Sequence, residues 1–122
     1  MQYLALIYAD ENAWATFSDE QRQAAYAEYF RFGEEGREAG VVLGGNELDA
    51  TTTATTVRVR DGETLVTDGP FAELKETLGG YYLLECGSME EACEWAARIP
   101  GASHGTVEVR PVYVDGDGGE QS

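Results

Sequence analysis

Gln2 to Ala9 reads Gln-Tyr-Leu-Ala-Leu-Ile-Tyr-Ala, an apolar run with an aromatic near each end. At that length the pattern predicts a strand buried on both faces. Asp10 to Ser18 is polar and reads as a connection from which Trp14 and Phe17 fold back onto the core or a pocket. Ser18 then offers an N-cap, with Asp19 and Glu20 in the first turn and Gln21 at the capping-box position. The amphipathic pattern carries a helix from Asp19 to about Ala39, with Arg22, Ala25, Tyr26, Tyr29, Phe30, Phe32 and Gly33 on its inward stripe. Gly36 inside that helix costs about 1 kcal/mol, and Gly40 suits the left-handed position that ends it.

Val41 to Leu48 returns as a strand interrupted by Gly44-Gly45, a bulge or close-approach signal. A threonine-rich passage from Thr51 leads into Val57 to Arg60, and Asp61-Gly62 is a type I′ turn signal before Glu63 to Thr67. This predicts a partly exposed β-hairpin arm. Gly79 to Cys86 is the second strongly apolar strand, followed by a helix from Ser88, with Glu91 completing a capping box, to about Arg98 before Pro100. Gly105 to Val114 is the last strand, with Val107 and Val109 on the helix side and Glu108 and Arg110 on the other.

With the hairpin set aside, the order is strand, helix, strand, strand, helix, strand. That is the ferredoxin-like α+β arrangement of βαββαβ type, an antiparallel sheet with an inserted β-hairpin and both helices on one face. Two strands that are apolar on both sides leave the opposite sheet face in need of cover. A second copy packing sheet to sheet supplies it, so the expected partner is the chain itself, as a homodimer.

Between the hairpin and the second apolar strand lies Thr-Asp-Gly-Pro-Phe-Ala-Glu-Leu-Lys, residues 67 to 75, then Glu76. Pro70 cannot donate to a sheet ladder, so the preceding strand ends here and a loop is forced. Asp68-Gly-Pro-Phe71 with Ala72, Glu73, Lys75 and Glu76 resembles the signature of the DGPF proteins, a branch of the YCII-related family. The resemblance continues through Gly80-Tyr81, Glu85, Ser88, Glu91-Ala92, Trp95-Ala96, Pro100, Gly105 and Glu108 to Val112, and spans Tyr3 to Val114. It implies a dimeric α+β barrel, with residues 1–114 as the domain, while the glycine-rich acidic composition of 115–122 predicts a disordered tail. Similar proteins occur beside or fused to extracytoplasmic-function sigma factors, which makes a sigma factor a possible regulatory partner. Better-studied relatives are built around a histidine in the first helix and an aspartate just before the proline that ends the second. Here the first helix has no histidine and Ile99 precedes Pro100, so that acid/base pair is missing.

The 122 residues, 43% of them hydrophobic, make one domain rather than two. Twenty-three acidic against eight basic residues give a net charge of −15, a field that repels phosphate backbones and anionic bilayers. Nucleic acid and membrane are therefore not expected as direct partners. No charged leader precedes the first apolar run, so the expected location is cytoplasmic. Cys86 and Cys93 read as buried thiols, and Asp115-Gly-Asp-Gly118 lacks the later ligands of a calcium loop. Neither a metal site nor a cofactor is expected. His104 is the only histidine, which excludes a multi-histidine metal site within one chain, and its place in Gly101-Ala-Ser-His-Gly105 reads as a solvated loop residue rather than a catalyst.

Strand parity places the candidate chemistry. Tyr8, Tyr81, Glu85, Glu108 and Arg110 are expected to line a cleft between sheet and partner, with Arg110 paired to Glu85 or Glu108. Asp68, Phe71 and Lys75 gate that cleft, Asp68 accepting amide bonds across its own turn and Phe71 plugging the loop against the sheet. The leading function is binding of a small organic anion. An alternative is proton transfer on a small carbonyl or lactone substrate, with Asp68 or Glu108 as base and Arg110 or Lys75 polarising the oxygen, an isomerase- or lyase-like activity.

Overall fold

Strand β1 (Gln2–Ala9) alternates buried Tyr3, Ala5 and Ile7 with half-buried Leu4, Leu6 and Tyr8. Its two faces are thus unequal, where the apolar run predicts equal burial. The computed structural model describes residues 1–114, and the acidic tail expected at 115–122 lies outside them. After β1 come α1 (Glu11–Ala15), α2 (Asp19–Glu38), β2 (Val42–Glu47), β3 (Thr55–Arg60), β4 (Glu63–Asp68), β5 (Thr77–Glu85), α3 (Met89–Ala96) and β6 (Thr106–Pro111). Short 3-10 turns occupy Thr51–Thr53 and Pro100–Ser103.

Four strands form an antiparallel sheet in the order β2-β5-β1-β6, the ferredoxin-like order once β3 and β4 are set aside. Tyr3, Ala5, Ile7, Val42 and Leu84 face Phe32 of α2 and Ala92 and Ala96 of α3, with Ile99 closing the core. Val107 and Val109 pack against this core from β6, as parity requires. The helix-bearing face is dry, and among the described residues no helix lies over the opposite face.

Helix α2 begins as its sequence dictates. Ser18 accepts from the Gln21 amide, and Gln21 accepts from the Ser18 amide. Its buried stripe is Phe32, Gly33 and Gly36, whereas Phe30 is 65% exposed and falls off it. Gly36 has a packing reason: a Cβ there would sit 2.3 Å from the Val42 side chain, so helix and strand meet closer than any side chain permits. Before α3, Ser88 accepts from the Glu91 amide, but the Glu91 carboxylate reaches the Gly87 amide rather than that of Ser88. The capping box is half formed.

Three further expectations are corrected. Residues 11–15, read as connection, form α1, because Asp10 caps it by accepting from the Asn12 amide. Its C-terminal carbonyls at Trp14 and Ala15 accept from Arg22, and Trp14 stacks against Phe17 and Tyr26 at centroid distances of 5.3 and 5.6 Å. The indole therefore joins the start of α2 instead of the core. Cys93 is exposed, since it lies on the outer side of α3, whereas Cys86 is buried.

The Asp61-Gly62 turn adopts positive φ at both residues, 52° and 79°, and joins β3 to β4 in a two-stranded sheet of its own. Every residue of this arm except Thr56 is exposed.

Candidate functional site

The uncovered face of the four-stranded sheet is where the predicted chemistry collects. Register puts Leu6 between Tyr81 of β5 and Glu108 of β6, and Leu4 between Leu83 and Arg110. Tyr8 follows on the same face, opposite Thr106. An antiparallel ladder holds such cross-strand neighbours about 5 Å apart, so Tyr8, Leu6, Tyr81 and Glu108 are one contiguous patch. Half-buried aliphatic floor, two phenols and two charges of opposite sign meet there.

Asn46 belongs to the patch and was not anticipated. Its side-chain amide donates to the Tyr81 hydroxyl at 3.0 Å across the β2–β5 pair. The register of β2 shifts between Val42 and Gly44, which moves Asn46 onto the open face and defeats a parity count made from the sequence. Glu76 was also missed as a site element. It accepts from the Thr106 hydroxyl at 3.0 Å and so ties the end of the signature loop to β6.

The expected Arg110 ion pair is not made. Glu85 and Arg110 lie on strands separated by β1, and the Glu85 carboxylate instead pairs with the Met1 amino terminus. Glu85 lies beside Gln2, about 20 Å along β1 from Tyr8, so it marks the far edge of the same face, next to Leu83 and away from the two phenols. Among the described residues Glu108 and Arg110 form no salt bridge or side-chain hydrogen bond, and both are exposed rather than buried. Two charges left in solvent are available to a ligand.

The signature loop stands apart. Gly69 adopts φ 97°, donates its amide to the Ala54 carbonyl at 2.7 Å, and accepts from the Thr56 hydroxyl at 2.7 Å. Those bonds fasten the loop to the base of the arm. They also replace the turn predicted to form around Asp68, whose exposed carboxylate accepts no amide bond among the described residues. Phe71 is 77% exposed and Leu74 61% exposed, so Phe71 plugs nothing within its own chain. Lys75 is exposed as well. Within one chain the loop gates no enclosed space.

Elsewhere the titrating groups are structural. Burial pushes the Tyr82 and Tyr29 hydroxyls up from their ordinary value, as it does the Cys86 thiol, and all three pack on the helix side of the sheet. The exposed Tyr26 hydroxyl donates to the Glu47 carboxylate at 3.2 Å. His104 is exposed at the end of the Pro100–Ser103 turn. Among the described residues no three His, Cys, Asp or Glu side chains gather to hold a metal ion, and no helix is long and apolar enough to cross a membrane.

Fold and open face together define a ferredoxin-like α+β protein with one side of its sheet bare. The model of the YCII-related domain matches residues 1–114, and the chain belongs to that family. It is 40% identical over 114 residues to an uncharacterized protein of Rhizobium meliloti (strain 1021), an alignment covering 92% of each chain.

Proposed function

We propose that this YCII-related protein, of the DGPF branch, is a homodimer that binds a small organic anion in a cleft over the open sheet face. The observation that carries the reading is the bare patch itself. Leu4, Leu6 and Leu83 are only half-buried in a chain whose other sheet face is fully dressed by helices. A second copy over this face would convert the patch into an enclosed chamber, with aromatic walls from Tyr8 and Tyr81 and Arg110 as the anion's counter-charge.

The test has two parts. Analytical ultracentrifugation should give a dimer mass, and amide shift mapping with a panel of small carboxylates should move residues 4–8, 81–83 and 106–110. Arg110→Gln should weaken that binding at least about tenfold, the low end for a charge-assisted bond. A monomer at micromolar concentration, or ligand shifts confined to other surfaces, overturns the reading.

A second reading is favoured by one feature, the free carboxylate of Glu108 two residues from Arg110 on the same face. Such a pair fits proton abstraction next to a carbonyl that the arginine polarises. Asp68 fits this role less well, since it sits in the separate two-stranded sheet, opposite Thr55. Solvent deuterium exchange into a bound keto acid, lost in Glu108→Gln and kept in Asp68→Asn, would favour catalysis. Exchange no faster than in buffer would leave binding alone.

A further inference from the structure

The arm is the part of the chain that its own body does not explain. An isolated two-stranded ribbon is marginal in water, yet β3 and β4 pair over their full length. Val57, Val59 and Val66 share one face of it, each 59 to 63% exposed, while Arg58, Arg60 and Leu65 share the other. Six of the fourteen exposed large hydrophobic side chains fall between Val57 and Leu74. Of these, Val57, Val59 and Val66 adjoin one another on one face of the ribbon, and a contiguous exposed apolar face, unlike scattered residues, calls for an explanation.

Its occupant follows from area. The chain exposes 8460 Å², whereas a compact monomer of its 13.3 kDa exposes about 6,450 Å². Granting residues 115–122 the full surface of an unfolded segment still leaves an excess of about 1,100 Å². A standard interface takes about 800 Å² from each partner, an area the surplus is large enough to supply. The arm is also long enough. Six residues per strand reach about 20 Å, twice the spacing of about 10 Å between stacked sheets.

We infer that the arm acts in trans: its valine face and Phe71 pack onto a second copy of this chain and wall that copy's ligand cleft. Each cleft is then incomplete within one subunit, its floor and charges coming from one chain and its apolar lid from the other. The inference rests on the dimeric reading above and adds which segment crosses. It accounts for the bare valines, for Phe71 standing clear of its own sheet, and for the bonds from Gly69 to Ala54 and Thr56 that brace the arm at its base.

The experiment uses the full chain with a photo-crosslinking benzoylphenylalanine in place of Val59, mixed as nitrogen-15-labelled and unlabelled subunits. Crosslinks joining a light arm to heavy peptides from residues 2–8, 78–85 or 106–110 are expected. Light-to-light and heavy-to-heavy products alone, from protein that sediments as a dimer, overturn the trans arm and leave the dimer standing. Crosslinks to α3 of the partner, residues 89–96, overturn it too. Monomeric protein removes both proposals. In parallel, Val57→Ser with Val59→Ser should raise the dimer dissociation constant at least about 30-fold, as loss of central apolar anchors does. Leu65→Ser, on the other face of the ribbon, should change it less than about threefold. Equal effects from the two variants overturn the assignment of the valine face.

Discussion

Leu84 and Leu83 are neighbours on β5 with the same side chain, and they live on different sides of one sheet. Leu84 is fully buried among Tyr3, Val42 and Ala92, whereas Leu83 shares a half-open face with Leu4 and Arg110. Strand propensity is identical for the two, so the difference is made by what lies across from each. Helices α2 and α3 finish one surface, and the other is finished by nothing in the described chain. A face that is apolar but unfinished is where function or association is to be sought.

The contrast breaks most visibly by truncation. Leu84→Ala should destabilise the fold by about 3 to 5 kcal/mol in urea denaturation, because its packed surroundings cannot collapse into the void. Leu83→Ala should take less than about 1.5 kcal/mol from dilute protein, and more as concentration rises, since only an associated state buries that side chain. Comparable losses at all concentrations would mean that the two faces are energetically alike.

On the finished face, Gly36→Ala should destabilise by about 1 to 3 kcal/mol, despite alanine's better helix propensity, because the added carbon meets Val42. A gain in melting temperature would show that α2 has room to shift. Away from the sheet, both Glu11 oxygens are engaged, by the Thr51 amide at 2.7 Å and its hydroxyl at 2.8 Å. Glu11→Ala should therefore remove about 1 to 2 kcal/mol and speed amide exchange around residues 51–54.

The finished face also sets an alkaline limit. Burial holds the Tyr29 and Tyr82 hydroxyls above their ordinary 10.0, so the unfolded chain gives up these protons first. Their contribution is complete below about pH 10 and declines as pH climbs from there through the raised folded-state values. Tyr82→Phe should flatten that decline, measured as unfolding free energy against pH from 9 to 11; an unchanged slope would contradict the assignment. The smallest effect belongs to the open face. Glu85→Gln, which loses the half-exposed pair with the amino terminus, should alter stability by less than about 1 kcal/mol and only at low salt.

Much of this was legible from residues close together in the chain. Ser18 with Gln21 started α2, Asp61-Gly62 closed the hairpin, Gly40 ended a helix at φ 75°, and the strand–helix alternation gave the ferredoxin-like order. The cap, the turn and the helix end each rest on a bond or a backbone angle spanning four residues or fewer, and the strand order follows from the sequence of elements they delimit. Within the site, Tyr8, Tyr81, Glu108 and Arg110 were placed on one face by period-two alternation alone, which holds wherever a strand runs without a bulge.

Tertiary structure alone decided the rest. The shift in β2 turned Asn46 toward Tyr81, Glu85 found the amino terminus 84 residues away, and Thr106 met Glu76 across 30 residues. Phe71 looked like an anchor because aromatic residues usually are, yet it is exposed, and its loop is held instead by the bonds of Gly69 to Ala54 and Thr56. Local preference acts through dihedral angles and short-range hydrogen bonds, and a sequence displays it directly. Which charges pair and which hydrophobics remain bare depends on segments brought together from far along the chain, and the packing of α2 and α3 over a single sheet face settles it.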